Sequence, residues 1–420
     1  LARLFATKYA VVGFDINTER VHELRAGKDT TLEVEGEVLK SVLVENPSDA
    51  IGLYCSTSIS DIKDCTFYII TVPTPVDKNN RPILTPLLKA SETVGSVLKK
   101  DDIVIYESTV YPGATEEDCI PVLEQVSGLV FNKDFFAGYS PERINPGDLK
   151  NNLESVVKII AGQDPETTER MKAIYAPVIT AGLYPAKSIQ VAEAAKIVEN
   201  VQRDLNIALM NELAMIFDRM GIRTADVLDA AATKWNFQKF TPGLVGGHCI
   251  GVDPYYLTHA AEQVNYNPQV ILAGRRINDN MGFYMVKKVI QQMINNGIEI
   301  KNSTVGLMGI TFKENCPDFR NSKIIDVFNE LKNWGANVVV VDPWVNEEKL
   351  QKEHQIKLGK IDKDNKVDSL IVAVGHDQFR SLSTKELKSY CNGSKPVIGD
   401  VKSIYNKQEL IKEGFSVFRL

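Results

Sequence analysis

Cys249 is the residue of this chain best suited to covalent chemistry. It lies in FTPGLVGGHCIGVDPYY, Phe240 to Tyr256, just after Gly246, Gly247 and His248 and four residues ahead of Asp253. Glycines this dense let the backbone turn tightly and approach a ligand closely. A thiol at the crest of such a turn is the arrangement a covalent nucleophile needs. A buried structural cysteine, a small inert hydrophobe in a Gly/Pro-rich loop, fits the local sequence equally well. A second pair of chemical groups stands upstream. Lys196 and Asn200, four residues apart, share one face of a predicted helix. Ile197, Val198 and Val201 surround them, and Ala192, Ala194 and Ala195 are small enough to let another element cover that face.

The elements that must position these groups follow from apolar runs and their turn residues. Leu1 to Thr7 reads as the tail of a helix and Tyr9 to Phe14 as a buried strand ending in Asp15. In a dinucleotide-binding fold an acidic residue at that place binds the adenosine ribose, about 20 residues after a first strand and a GxGxxG turn. Neither feature is present in the sequence, which is therefore expected to lack its own first strand and Gly-rich turn. Arg20 could pair with the adenosine or its phosphate, or belong to a solvated helix face. Thr66 to Val72 and Asp102 to Tyr106 are short apolar runs whose C-terminal ends carry Pro73-Thr74-Pro75 and Glu107-Ser108-Thr109. Such runs suit buried parallel strands, and open α/β sheets bind ligands at those ends. Thr74 and Thr109 thus fall where a cofactor would sit. A strand at Phe136 leads into the Pro/Gly loop SPERINPGD, Ser140 to Asp148.

From Lys187 to Met220 apolar residues recur every three and four positions without Pro or Gly, predicting one long helix. A second α/β region begins at Thr304, with a strand to Ile310, a helix near Ser322 to Trp334, and a strand from Ala336 ending in Asp342. This repeats the order seen in part at the N-terminus. Further strands are read at Ser369 to Val374 and Pro396 to Gly399, and a solvated turn at Ile361 to Lys366. The fold class is α/β: two Rossmann-like parallel-sheet domains joined by a central helical domain with a long spine helix. The expected boundaries are 1–182, 183–298 and 299–420.

Composition narrows the function. A chain of 420 residues exceeds one core and suggests two or three domains. The 44% hydrophobic and 24% charged content is that of a globular protein, and the net charge of -6 argues against nonspecific nucleic-acid binding. No apolar run approaches the ~20 residues of a membrane helix. The N-terminal residues show no signal-peptide pattern. The six cysteines are scattered without metal-ligand spacing. A reduced compartment, the cytoplasm, and no metal site are expected.

Seven motifs occur in the order of one known family: GFDIN at 13–17, VPTP at 72–75, ESTVYPG at 107–113, SPERINPGD at 140–148, KIVEN at 196–200, GGHC at 246–249 and FKENCPDFRNS at 312–322. Over nearly its whole length the chain resembles the UDP-glucose/GDP-mannose dehydrogenase family. The resemblance implies oxidation of the C6 alcohol of a nucleotide sugar to a carboxylate with two NAD+ per sugar. Cys249 would attack the intermediate aldehyde to give a thiohemiacetal, then a thioester that water releases. Lys196 and Asn200 match the pair that stabilises oxyanions, Asp253 and Thr109 are associated with a water and with proton handling, and Glu142 matches the glutamate of thioester hydrolysis. To NAD the resemblance assigns Asp15, Arg20, Thr74, Thr109 and Arg320. To the substrate it assigns Glu142, Arg143, Ile144, Asn145 and Pro146, the helix pair Lys196 and Asn200, the loop Gln238, Lys239, Phe240, Thr241 and Pro242, and Gly246 and Lys313. Asp15 favours NAD over NADP, since a carboxylate repels a 2′-phosphate.

Two departures bear on the substrate. Many members read GGSCFPKD at the nucleophile, where this chain reads GGHCIGVD with Val252 in place of the lysine. Others carry a second glutamate where Pro146 stands. GGHCIGVDPYYL and SPERINPGD are similar to the branch acting on UDP-N-acetylhexosamines (UDP-GlcNAc, UDP-GalNAc) for capsular and O-antigen polysaccharides, and a homodimer through the central helix is expected. Three other readings remain in view: a UDP-glucose 6-dehydrogenase, a two-electron dehydrogenase of the 6-phosphogluconate or hydroxyisobutyrate type, and a nucleotide-sugar-binding protein without turnover. The two-electron enzymes need neither the cysteine nor the second α/β domain.

Overall fold

The computed structural model of the chain describes residues 1–420 apart from 32, 47–50, 145–152 and 248–249. They form two compact bodies, Leu1–Glu199 with Tyr255–Tyr266, and Asn200–Pro254 with Asn267–Leu420. The division falls inside the long helix Ile189–Met220.

The first body holds β1 (Ala10–Phe14), β2 (Gly52–Ser56), β3 (Phe67–Ile70), β4 (Ile103–Tyr106), β5 (Phe136–Tyr139), β6 (Lys158–Gly162) and β7 (Leu183–Pro185). β1 and β2 form a parallel ladder of their own, Ala10 opposite Gly52 and Phe14 opposite Ser56. The other five strands run in the order β3-β4-β5-β6-β7, parallel except for the antiparallel pair β5–β6. All four side chains of β4, IVIY, are fully buried, so an unbroken apolar run is what this strand requires. One core gathers Leu4, Phe5, Ile103, Ile105, Ile160, Met171 and Tyr175. The last two come from the helix Pro165–Tyr175, which starts where Asp164 accepts a hydrogen bond from the Thr167 amide at 2.7 Å and proline takes the first helical position.

The second body carries a parallel sheet of β8 (Thr304–Met308), β9 (Asn337–Val341), β10 (Ser369–Val372), β11 (Val397–Asp400) and β12 (Ser416–Phe418), in the order β12-β11-β10-β8-β9. Alternation divides its side chains between two cores. Val305, Leu307 and Ile371 face Met285, Val286, Val289 and Met293 of the helix Gln269–Asn295, while Met308, Leu370, Val372 and Ile398 pack with Phe379 and Leu387. Each such side chain contributes about 1.5–3 kcal/mol on full burial.

The strands read from the sequence at 9–14, 66–72, 102–106, 304–310, 336–341, 369–374 and 396–399, and the helices at 187–220 and 322–334, are present to within a few residues. The helix Gln269–Asn295 was not anticipated, because Gly274 and Gly282 interrupt its pattern. Gly274 lies in close contact with Leu205, whose side chain would have to move to admit a Cβ that would otherwise meet it at 2.5 Å. The short strands β2, β6, β7 and β12 also lacked a clear signal.

Candidate active site

In the first body the candidate groups follow the carboxyl ends of parallel strands. Asp15 is exposed directly after β1, with one carboxylate oxygen accepting from the Asn17 amide at 2.8 Å. Thr74 and Thr109 are half-buried just beyond β3 and β4. An exposed carboxylate at such a strand end fits a ribose diol, and the two threonines place hydroxyl groups beyond the ends of neighbouring strands of the other sheet. Arg20 is committed within the body, donating to Asp29 at 2.7 Å and Thr30 at 3.3 Å. Burial pushes the Asp29 carboxyl up, but hydrogen bonds from Thr31, Arg20 and the Val34 amide outweigh it and bring it down to about 2.

The SPER loop is held from below. Glu107, at the end of β4, pairs with Lys158 at 3.0 Å and accepts a hydrogen bond from the Tyr175 hydroxyl, all three side chains being buried. Lys158 also donates to the Pro141 carbonyl at 3.3 Å. A buried pair satisfied this fully is costly to break on one side. Glu142 follows, one oxygen accepting from the Arg143 and Ile144 amides at 2.7 and 2.8 Å. Arg143 reaches Glu199 of the long helix at 2.6 Å and the Val157 carbonyl at 2.6 Å. Asn145 and Pro146 lie outside the described residues.

Lys196 is only 7 % exposed, which for a lysine implies a defined polar environment. One turn before it, fully buried Glu193 accepts the Gly113 amide at 2.6 Å and the Thr115 amide at 3.0 Å. Burial pushes this carboxyl up to about 7, against the pull of the Thr115 and Gly113 hydrogen bonds. Glu193 thereby ties the helix of Lys196 to the loop that follows Thr109. Sequence reasoning missed it, although its i,i+3 spacing from Lys196 was visible. Tyr256 donates to the Pro75 carbonyl at 3.2 Å, beside Thr74.

In the second body Asn200 and Asp253 come together. Both are buried, and the Asn200 amide donates to the Asp253 carboxylate at 2.5 Å. Asp253 opens the helix Asp253–Gln263, where an acidic side chain complements the helix dipole. The Gly247 amide donates to the Asn321 carbonyl at 3.1 Å with φ +85, and a Cβ on Gly246 would meet that same carbonyl oxygen at 2.9 Å. Phe312 packs against Gly247. These two glycines are therefore required for close approach to the loop after β8. Cys249 and His248 lie outside the described residues.

Of the proposed substrate loop, Gln238, Lys239 and Thr241 are exposed, and Phe240 and Pro242 half-buried. Lys239 is paired with Asp229 at 2.6 Å. Lys313 is half-buried after β8, its carbonyl accepting from the Thr311 hydroxyl at 3.0 Å. Arg320 is exposed and forks onto Asp318 at 2.7 and 3.0 Å. Asp342 ends β9 as Asp15 ends β1, yet it is consumed internally. It accepts from the Ile310 amide at 2.8 Å and contacts His376 Nε2 at 3.2 Å, while the Asn315 amide donates to His376 Nδ1 at 2.9 Å. Burial raises the Asp342 carboxyl, but the His376 and backbone hydrogen bonds leave it below its ordinary value. Among the described residues no cluster of three or more His, Cys, Asp or Glu could hold a metal, and no helix is long and apolar enough to cross a membrane.

Models of three parts of one family match the chain in order: the UDP-glucose/GDP-mannose dehydrogenase family NAD binding domain at residues 1–179, its central domain at 190–280 and its UDP binding domain at 306–407. The chain belongs to the UDP-glucose/GDP-mannose dehydrogenase family. NAD is accordingly its cofactor, and the Asp15 edge lies within the matched NAD-binding part. The chain is 52% identical over 409 residues to the UDP-N-acetyl-D-glucosamine 6-dehydrogenase of Pseudomonas aeruginosa, covering 97% of this chain and 95% of that one. It is 51% identical over 412 residues to protein CapL of Staphylococcus aureus, covering 98% and 94%. Among solved structures, a UDP-D-ManNAc dehydrogenase from Pyrococcus horikoshii superposes with a TM-score of 0.89 at 27% identity, covering 100% of this chain and 95% of that one.

Proposed function

We propose that this dehydrogenase oxidises the C6 alcohol of UDP-N-acetyl-D-glucosamine to the uronic acid, with two NAD+ and one water consumed per sugar. The observation that carries the substrate is the 52% identity, over nearly the whole length, to a relative bearing that name, together with the GGHCIGVD and SPERINPGD variants. NAD+, when bound, accepts a hydride in each of the two oxidations. The chain's own residues do the rest. The Cys249 thiolate adds to the C6 aldehyde, so the intermediate is retained and keeps one C–H bond to be oxidised. Lys196 and Asn200 supply the cation and amide that stabilise oxygen as it becomes anionic at C6. A buried Lys196 ammonium also favours the thiolate when near it.

Glu142 is assigned as the base for thioester hydrolysis, and Asp253 with Thr109 as the groups that hold and move the proton of a water. The Asn200–Asp253 hydrogen bond supports placing Asp253 beside the oxyanion pair. Asp15 and Thr74, with Arg20 and Arg320 after exchange of their present partners, would hold NAD. Arg143, Ile144, Asn145, Pro146, Gln238, Lys239, Phe240, Thr241, Pro242, Gly246 and Lys313 would surround the nucleotide sugar. We assign the parts 1–182, 183–298 and 299–420 to cofactor, dimerisation with the cysteine loop, and UDP-sugar. Exposed Val191, Val198, Leu209 and Ile216 on the long helix support a homodimer. Five unpaired cysteines among the described residues accord with a cytoplasmic place of action, supplying surface polysaccharide synthesis.

The test is NADH yield over a panel of UDP-sugars. Two NADH per UDP-N-acetylglucosamine is the expected result. One NADH per sugar would identify a two-electron enzyme, preference for UDP-glucose would move the substrate, and none would indicate a binder. Cys249→Ser is expected to lose net uronate formation, and full uronate output from it would overturn the covalent route.

A further inference from the structure

Within the second body, four buried side chains run in a line from the long helix to the backbone of Gly243. Asp204 and Asn211 stand on the helix Ile189–Met220, and Arg275 and Asn278 on the helix Gln269–Asn295. Asp204, Asn211 and Asn278 are 0 % exposed and Arg275 is 2 % exposed. Arg275 donates to the Asp204 carboxylate at 2.6 Å, and the Asn278 amide donates to the same oxygen at 2.7 Å. The Asn278 side-chain carbonyl in turn accepts from Asn211 at 2.8 Å. Asn211 then meets both backbone groups of one residue, accepting from the Gly243 amide at 2.8 Å and donating to the Gly243 carbonyl at 3.0 Å.

The direction of this line is fixed by chemistry. A carboxylate only accepts, so Asn278 must turn its NH2 to Asp204 and its carbonyl to Asn211. Asn211 must then give one N–H to that carbonyl, which leaves its other N–H and its oxygen for Gly243. With the Asn211 amide reversed, donor would face donor at Gly243 and acceptor would face acceptor at both carbonyls. In surroundings this dry, each mismatch leaves a buried polar group unpaired, which is costly. Asn211 thus holds the Gly243 peptide as a neighbouring strand would, in a segment, 240–246, that has no regular secondary structure. The next residue, Gly247, is fixed in turn by the Asn321 carbonyl.

We propose that Asn211 is a positioning residue for the nucleophile loop, its amide clamping Gly243 so that the chain leading into Cys249 is presented in one geometry, with Asp204 and Asn278 setting the amide's orientation. The proposal rests on the assignment of Cys249 as nucleophile.

The test compares wild type, Asn211→Ala and Asn278→Ala as purified full-length enzyme with UDP-N-acetylglucosamine and NAD+. For folded Asn211→Ala the expected result is a fall in kcat of about tenfold or more with both KM values within about threefold. Alkylation of Cys249 by iodoacetamide should also change by about threefold or more, with Cys65 as the unchanged reference in the same chain. Asn278→Ala should show the same pattern at smaller size, about threefold in kcat, because the clamp remains but its orientation is no longer enforced. A kcat within about twofold of wild type in folded Asn211→Ala, or a KM rise that carries the whole loss, overturns the proposal. Should Asn211→Ala fail to fold, Asn278→Ala decides by the same readings. Should wild type yield no NADH from any UDP-sugar, the functional reading fails separately. Amide hydrogen exchange of peptide 240–247 then decides, with exchange about tenfold faster in the variant supporting the clamp and unchanged exchange refuting it.

Discussion

Glu193 offers a prediction whose size follows from its surroundings. Its carboxyl is fully buried and raised by burial from 4.5 to about 7, although two backbone amides donate to it. Between those two values the folded chain binds a proton that the unfolded chain has released. Stability therefore falls as pH rises through this window, by roughly 3 kcal/mol from this group alone, at about 1.4 kcal/mol per pKa unit. Glu193→Gln has nearly the same shape and does not titrate. It also presents an NH2 to one of the two backbone N–H groups, so it is expected to be less stable than wild type at low pH. The gap should close, or reverse, as pH rises from 4.5 to 7.5. Urea unfolding at half-unit pH intervals measures it. A wild-type-minus-variant difference that stays constant within about 0.5 kcal/mol across that range would refute the burial argument.

Three further outcomes follow from the same structure. Lys196→Ala should lose roughly 2–4 kcal/mol of transition-state stabilisation in kcat/KM if its ammonium is an oxyanion donor, and turnover within a factor of about two would exclude that role. Gly246→Ala places a Cβ at 2.9 Å from the Asn321 carbonyl oxygen, so the loop must shift; a kcat loss of about tenfold or more is expected with little change in melting temperature. His376→Phe removes the ring that the Asn315 amide donates to and that contacts Asp342. It should cost about 1–3 kcal/mol in urea unfolding, together with a raised KM for the UDP-sugar through the Lys313 loop.

Much of the fold was legible because parallel strands buried on both faces must be unbroken apolar runs, as IVIY of β4 is, and because Pro and Gly mark where they end. The helix Gln269–Asn295 was not legible. Its glycines serve contacts with side chains far away in sequence, Leu205 against Gly274 among them, which no local pattern records. The pairing of Asn200 with Asp253 was likewise invisible in itself, since 53 residues separate them.

The sequence by itself determined the residue types and order that make this a four-electron dehydrogenase candidate: a cysteine behind two glycines, a Lys/Asn pair at helical spacing, an Asp after a strand. Periodicity and covalent order are local properties, so they survive without coordinates. Only the tertiary structure decided which polar groups are dry and what each one faces. It engaged Arg20, Lys239 and Arg320 with acidic neighbours, gave Asp342 to His376 and the backbone, and placed Glu193 and Asn211 as hidden supports of two loops. The three cations pair within ten residues of themselves, whereas Glu193 reaches Gly113 80 residues away and Asn211 reaches Gly243 32 residues away, separations that no local pattern records. For that reason Glu193 and Asn211 carried little signal in the sequence.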